Sequence, residues 1–344
     1  MYEDKAPESA WKHSWWRRSA HRLWRTTRET GDQGEEPLGL WLTDDTVVIA
    51  RFDRVQAYRV TTGAPQWTWR PPGRQVVVLM SADTEDGVGV VLHYDDGQRD
   101  VKHVGLTSLA VATGEVVRHR EQDADLLGQL RSEVAIGGGL IATAREFWTE
   151  RPVVCALDVG TGKVRWKHEL TDPRVEGATV LSARPFVASL KMRGARDRPR
   201  LFVLGDDGTK GVGLALPDGY TRFGSRVAMV GDVLAVQLEP AEEAERDKGV
   251  RLGAYSVSSG RFLWKWYDKG GYWVTPLAHR GWLLVVHRSG GRLSVLDPAT
   301  GRLVARRTLR GGAYDPFLGA SGDLIAVGCR PTELNRRLRV FRWR

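Results

Sequence analysis

A small-residue turn ending in Gly, often followed four residues later by Trp, returns along this chain at near-constant spacing. It occurs as TTGAPQW (Gly63, Trp67), GTGKVRW (Gly162, Trp166) and SSGRFLW (Gly260, Trp264). Weaker copies are ATGEVVR at Gly114, ATGRLVA at Gly301 and a degenerate one at Gly208. Successive intervals from Gly63 to Gly301 run from 41 to 52 residues. An apolar strand precedes each turn (VQAYRV, VVCALDV, LGAYSV) and a second strand follows it (QWTWR, VRWKHEL, FLWKWY). Each copy therefore reads as a β-hairpin.

A second marker with different chemistry keeps the same period. A short Gly/Asp/Arg turn precedes a β-branched strand at Asp45, Asp86, Gly138, Arg184, Gly231, Arg280 and Gly322. Two hairpins per period make four antiparallel strands, which is the unit of a β-propeller blade. The first hairpin occurs seven times and the second six times, so the last unit, ending at LRVFRWR, lacks a fourth strand. AHRLWRTT near the N-terminus carries the missing pattern, with Ala20 in the Gly position and Trp24 four residues later. The expected fold is all-β: a seven-bladed propeller of four-stranded antiparallel blades, its last blade completed by residues 21–27. Closure of this kind removes the two blade edges an open array would expose. The expected division is an arm over residues 1–19, helical or disordered, and a single propeller over 20–344.

The repeat settles what length leaves open. A chain of 344 residues exceeds the roughly 250–300 that one hydrophobic core usually supports, and repeats remove the need for two domains. The repeated Trp24, Trp67, Trp166 and Trp264 are expected to pack over the neighbouring blade, each N–H finding one local acceptor. Cys155 and Cys329 sit in apolar strand-like runs and read as buried thiols. A net charge of +9 permits acidic partners without requiring them.

The string LDVGTGKVRW (157–166), with AYRVTTGAPQW, AYSVSSGRFLW and VLDPATGRL, resembles the repeat of PQQ-like β-propellers, the quinoprotein alcohol dehydrogenase-like superfamily. The resemblance spans residues ~20–344 and implies the fold; its members include both enzymes and scaffolds. The enzymes of that superfamily have eight blades, a vicinal Cys–Cys ring, and Glu, Asn and Asp ligands near the axis. This chain shows seven units, two distant cysteines, and Asn335 as its only asparagine, in a polar C-terminal connection. No quinone, other cofactor, catalytic residue or metal is therefore expected, and the chain reads as a non-catalytic member.

Strand order places first-to-second and third-to-fourth turns at one end of the ring, where they are tight. Second-to-third connections lie at the other end and are long at 93–103, 144–152, 191–200, 239–249 and 329–337. Long loops on a rigid scaffold are where binding is usually placed. Phe147, Trp148, Arg193, Arg196, Arg198 and Arg200 are the candidate partner contacts, being residue types enriched at interface hot spots. The eight His show no metal-ligand spacing, although His93 and His103 flank one loop and could meet across a hairpin. Phosphate-binding and nucleophile-elbow motifs are missing from the sequence. Nucleic acid is not the expected partner: RRLRVFRWR must also serve as a strand, with Phe341 and Trp343 on one side and Leu338 and Val340 on the other.

Trp11, Trp15, Trp16, Arg17 and Arg18 form a basic aromatic stretch, with Trp11 and Trp15 on one face if helical. Three readings stay open for it: an arm, a partner-binding helix, or a membrane contact confined to residues 11–18. Residues 1–30 show no apolar signal-peptide core, so the expected location is the cytoplasm. The expectation is a monomeric protein-interaction scaffold acting through the long-loop face. The alternative is a small-molecule or enzymatic propeller with a site on the axis. Convergent polar side chains from the innermost strands would favour the alternative, and an apolar channel the scaffold.

Overall fold

The computed structural model describes residues 20–25, 37–95, 103–123, 134–145, 152–193, 200–205, 207–208, 211–241, 249–269, 274–287, 292–309, 316–329 and 338–343. These form seven four-stranded antiparallel sheets. Blades 1 to 6 span residues 37–69, 75–123, 134–169, 175–215, 220–268 and 274–308, each a meander in chain order. Blade 7 takes three strands from residues 316–343 and its fourth from Ala20–Arg25, which pairs antiparallel with Arg339–Trp343. The molecule is a seven-bladed β-propeller closed by its N-terminal strand. That strand begins one residue before the expected 21, and residues 26–27 lie outside the described set.

The repeated Gly has one structural job. Gly63, Gly114, Gly162, Gly208, Gly260 and Gly301 all lie between φ +66° and +75°, a region costly for residues with a Cβ. In five of these turns the Gly N–H donates to the carbonyl four residues back, as in Gly63 to Arg59 at 2.8 Å and Gly114 to Ala110 at 2.7 Å. A β-bulge follows at the same place in the third-to-fourth pairing, for example between Ala57 and Tyr58 and between Ala156 and Leu157. Turn and bulge twist the outer strand and aim its side chains at the next blade.

The described residues do not form a single core. Seven apolar clusters each join two neighbouring blades, and the last joins blade 7 to blade 1 through Leu40, Ile49, Tyr58, Leu324 and Val340. The alternation in the final strand splits as expected: Phe341 packs toward blade 6, while Val340 and Leu338 pack toward blade 1. Cys155 is buried at the joint between blades 2 and 3; the side chain of Cys329 lies outside the described set. Among the described residues no helix is long and apolar enough to cross a membrane.

Candidate functional site

The four repeated Trp residues lie at joints. Each indole covers the turn glycine of the next blade: Trp24 over Gly63, Trp67 over Gly114, Trp166 over Gly208 and Trp264 over Gly301. A Cβ on any of these glycines would come within 2.6 Å of a ring atom. The indole N–H donates to a backbone carbonyl of that blade, from Trp24 to Val60, from Trp67 to Val111 at 3.1 Å and from Trp264 to Pro298 at 2.7 Å. A further dock escaped the sequence reading. Trp41, on the innermost strand of blade 1, is 2 % exposed, lies against Gly89 of blade 2 and donates to Ser81 O at 2.9 Å. Its signal was Gly89 in the middle of a strand, which marks a close approach.

The innermost strands enclose an axial cavity of about 250 Å³. Leu38, Leu40, Met80, Leu181, Leu277 and Leu318 form most of its wall, and Ser81, Arg226 and Thr275 add polar atoms.

At the long-loop end, Arg193 pairs with Glu176 at 3.7 Å and its backbone N–H donates to Arg174 O at 2.6 Å. Arg200 opens the third strand of blade 4, opposite Leu190 and Ala215. Phe147, Trp148, Arg196 and Arg198 lie outside the described residues, as do Trp11, Trp15 and the rest of residues 11–18. The structure therefore does not bring this set together or separate it.

Blade 2 holds a polar chain that the sequence did not suggest. His93 and His103 do not meet: His93 lies opposite Gly105, and His103 is exposed opposite Asp123. His93 instead reaches Thr107 Oγ1 through Nε2 at 2.7 Å, and Thr107 Oγ1 reaches His119 Nδ1 at 2.9 Å. The other His93 nitrogen, Nδ1, meets Gln75 Oε1. One directional set satisfies every group: His119 Nδ1–H donates to Thr107, Thr107 O–H to His93 Nε2, and His93 Nδ1–H to Gln75. Each of the four strands supplies one member. The imidazole fits because position 105 is Gly, where a Cβ would lie 2.2 Å from the ring. Burial, with a smaller contribution from the charge of His119, holds His93 far below the usual histidine range, at about 4. The chain ties the four strands of the blade together.

No curated protein matches the sequence. Among solved structures, U3-55K is similar over 94% of this chain and 98% of its own, with TM-score 0.61 and 12% identity, a likeness of fold. BamB from Moraxella catarrhalis is 13% identical over 88% of this chain and 84% of its own, with TM-score 0.49. A europium-containing methanol dehydrogenase is 12% identical over 88% of this chain and 81% of its own, also with TM-score 0.49. The family described as outer membrane protein assembly factor BamB matches residues 17–212, more than half of the sequence. With the turn glycines, the docked indoles and the seven closed blades, that match makes this chain a member of the PQQ-like propeller family of BamB.

Proposed function

We propose that this protein is a non-catalytic propeller that holds a protein partner through its long-loop face. The observation that carries the reading is the size of the axial cavity: its volume of about 250 Å³, walled mostly by leucines and Met80 with Ser81, Arg226 and Thr275 among them, falls below the roughly 300–1,000 Å³ of ligand pockets. Membership of a family named for outer membrane protein assembly supports a scaffold role. The closed ring of docked blades suits that role, since a rigid support lets surface loops be presented in fixed positions.

Phe147 and Trp148 are the proposed anchors, and Arg193, Arg196, Arg198 and Arg200 are proposed as further contacts of the same partner. The test is quantitative copurification of the full chain and of the double variant Phe147→Ala, Trp148→Ala. Loss of a reproducible partner is expected; an unchanged set of partners overturns the assignment. Cell fractionation separates the cytoplasmic location proposed here from an exported one.

A further inference from the structure

Three joints lack the docking Trp: Val212 and Ala305 stand at its position in blades 4 and 6, and blade 2 alone carries a charged residue there. In blades 1, 3 and 5 the Trp of the fourth strand stands opposite an alanine of the third: Trp67 with Ala57, Trp166 with Ala156 and Trp264 with Ala254. At the same register of blade 2, Arg118 stands opposite Ser108. Both halves of the pair have changed, and both have become polar. A guanidinium takes the place of the indole, and a cleft of about 350 Å³ opens between blades 2 and 3 at the tight-turn end.

The lining of the cleft is charged and incompletely paired. Asp83, Glu85 and Asp86 come from the first turn of blade 2, and Asp158 from the second turn of blade 3. Asp83 accepts the Gly138 N–H at 3.2 Å, and Asp158 accepts the Thr161 N–H at 2.6 Å. The carboxylates of Glu85 and Asp86 have no hydrogen-bond or ion-pair partner among the described residues. Arg118 has no ion pair among them either; its guanidinium lies over Gly160. Four carboxylates and one guanidinium line the cleft, with Arg184 packed on Gly138 beside it and Arg165 acting on Asp158.

Ser108 supplies an independent observation. It is 6 % exposed, shares its face of the sheet with Val90 and Arg118, and lines the cleft. Its hydroxyl has no hydrogen-bond partner among the described residues. The hydroxyl keeps contact with solvent in the cleft, and the alanines at the same register of blades 1, 3 and 5 show that the fold does not need it there. The hydroxyl is therefore open to a ligand in the cleft.

We propose that this cleft binds a lysine unit. The ammonium would be held by Glu85, Asp86 and the Ser108 hydroxyl, which together offer acceptors for its N–H donors. The guanidinium of Arg118 would hold the oxygen of the same unit, a peptide carbonyl or a free carboxylate. Val117, exposed at the rim, gives the methylene stem an apolar wall. The source is either a lysine of a partner protein or the free amino acid. The site lies at the opposite end of the ring from the long loops and does not depend on their role.

Calorimetric titration of the full chain tests this with four probes: Nα-acetyl-lysine N-methylamide, free lysine, 1,5-diaminopentane, which lacks the oxygen, and Nα-acetyl-norleucine N-methylamide, which lacks the ammonium. Saturable binding of at least one lysine probe is expected, with a Kd of about 1 mM or tighter. Preference for the blocked lysine assigns a peptide source, and preference for the free form an amino-acid source. Diaminopentane should bind at least about fivefold more weakly, and norleucine not at all. The double variant Glu85→Gln, Asp86→Asn should lose about tenfold in affinity. The pair Ser108→Ala, Arg118→Trp, which restores the alanine–indole dock, should abolish binding without lowering the melting temperature. Absence of saturation by both lysine probes at about 20 mM overturns the proposal. So does unchanged affinity in the Glu85, Asp86 variant, or diaminopentane binding as tightly as lysine.

Discussion

The indole of Trp24 lies across Gly63, so a residue of the first described strand covers the turn of the first blade to be completed in sequence. That contact, with the pairing of Ala20–Arg25 on the last strand, joins the two ends of the ring. Trp24→Ala should cost about 2–4 kcal/mol, the range for removing a largely buried aromatic ring. Gly63→Ala should cost about 1–3 kcal/mol, because its Cβ would strike the ring and φ is +74°. The two losses should not add, since both break one contact. Denaturant unfolding of both single variants and the double variant measures the coupling. Deleting residues 1–18 should leave the melting temperature unchanged, whereas deleting 1–28 should lower it sharply. Equal melting of both truncations would overturn the closure.

The pH dependence of stability should carry the mark of His93. Burial lowers its folded value from 6.5 to about 4. The unfolded chain therefore takes up the proton first as pH falls. Its stabilising contribution is complete above about pH 6.5, declines between 6.5 and 4, and is lost below about 4, a change on the order of 3 kcal/mol. His93→Gln keeps polar atoms in the chain of Gln75 and Thr107 but cannot titrate. Chemical unfolding at stepped pH should give a flatter profile for this variant across that window. Parallel profiles would show that His93 is not the group responsible.

The repeat, the blade count and the closing strand were legible because their signals are local. A left-handed Gly, a β-branched run and a Trp at fixed offset are each read within one hairpin. The polar chain of blade 2 was not legible, because His93, Thr107 and His119 meet only through cross-strand register. Trp41 was missed for a related reason: it docks from an innermost strand, outside the offset shared by the other four. Position 118 showed in the sequence as a weak copy with Arg for Trp. Its meaning needed Ser108, which the register places opposite it. The long loops were legible as long, but their length does not encode what they bind.

Asp268 bridges blades 5 and 6 from a buried position. It is 5 % exposed and meets Arg292 at 3.2 Å and Arg306 at 3.3 Å, both from blade 6. Asp268→Asn should destabilise by about 1–3 kcal/mol, since it removes the buried charge that both guanidinium groups face. The arginines are partly solvated, so raising salt from about 0.05 M to 1 M should weaken the parent more than the variant. Thermal melts of both proteins across that range measure the difference. An equal salt response would mean that the three groups contribute packing and little charge interaction.

Gly89 and Trp41 test the inner docking of the blades without any backbone conformation peculiar to glycine. A Cβ at 89 would lie 2.3 Å from the indole, and Trp41 cannot retreat because it is buried and its N–H is held by Ser81 O. Gly89→Ala should therefore cost about 1–3 kcal/mol through overpacking. Trp41→Phe removes the ring atoms nearest Gly89 and also the indole donor, leaving Ser81 O without it. Each single variant should be destabilised. The double variant should be more stable than the sum of the two losses allows, because the added methyl enters space the smaller ring has vacated. Urea unfolding of the four proteins supplies the cycle. Strict additivity would mean that blade 1 shifts away from blade 2 to accommodate the methyl, and that the joint is looser than the geometry of Trp41 implies.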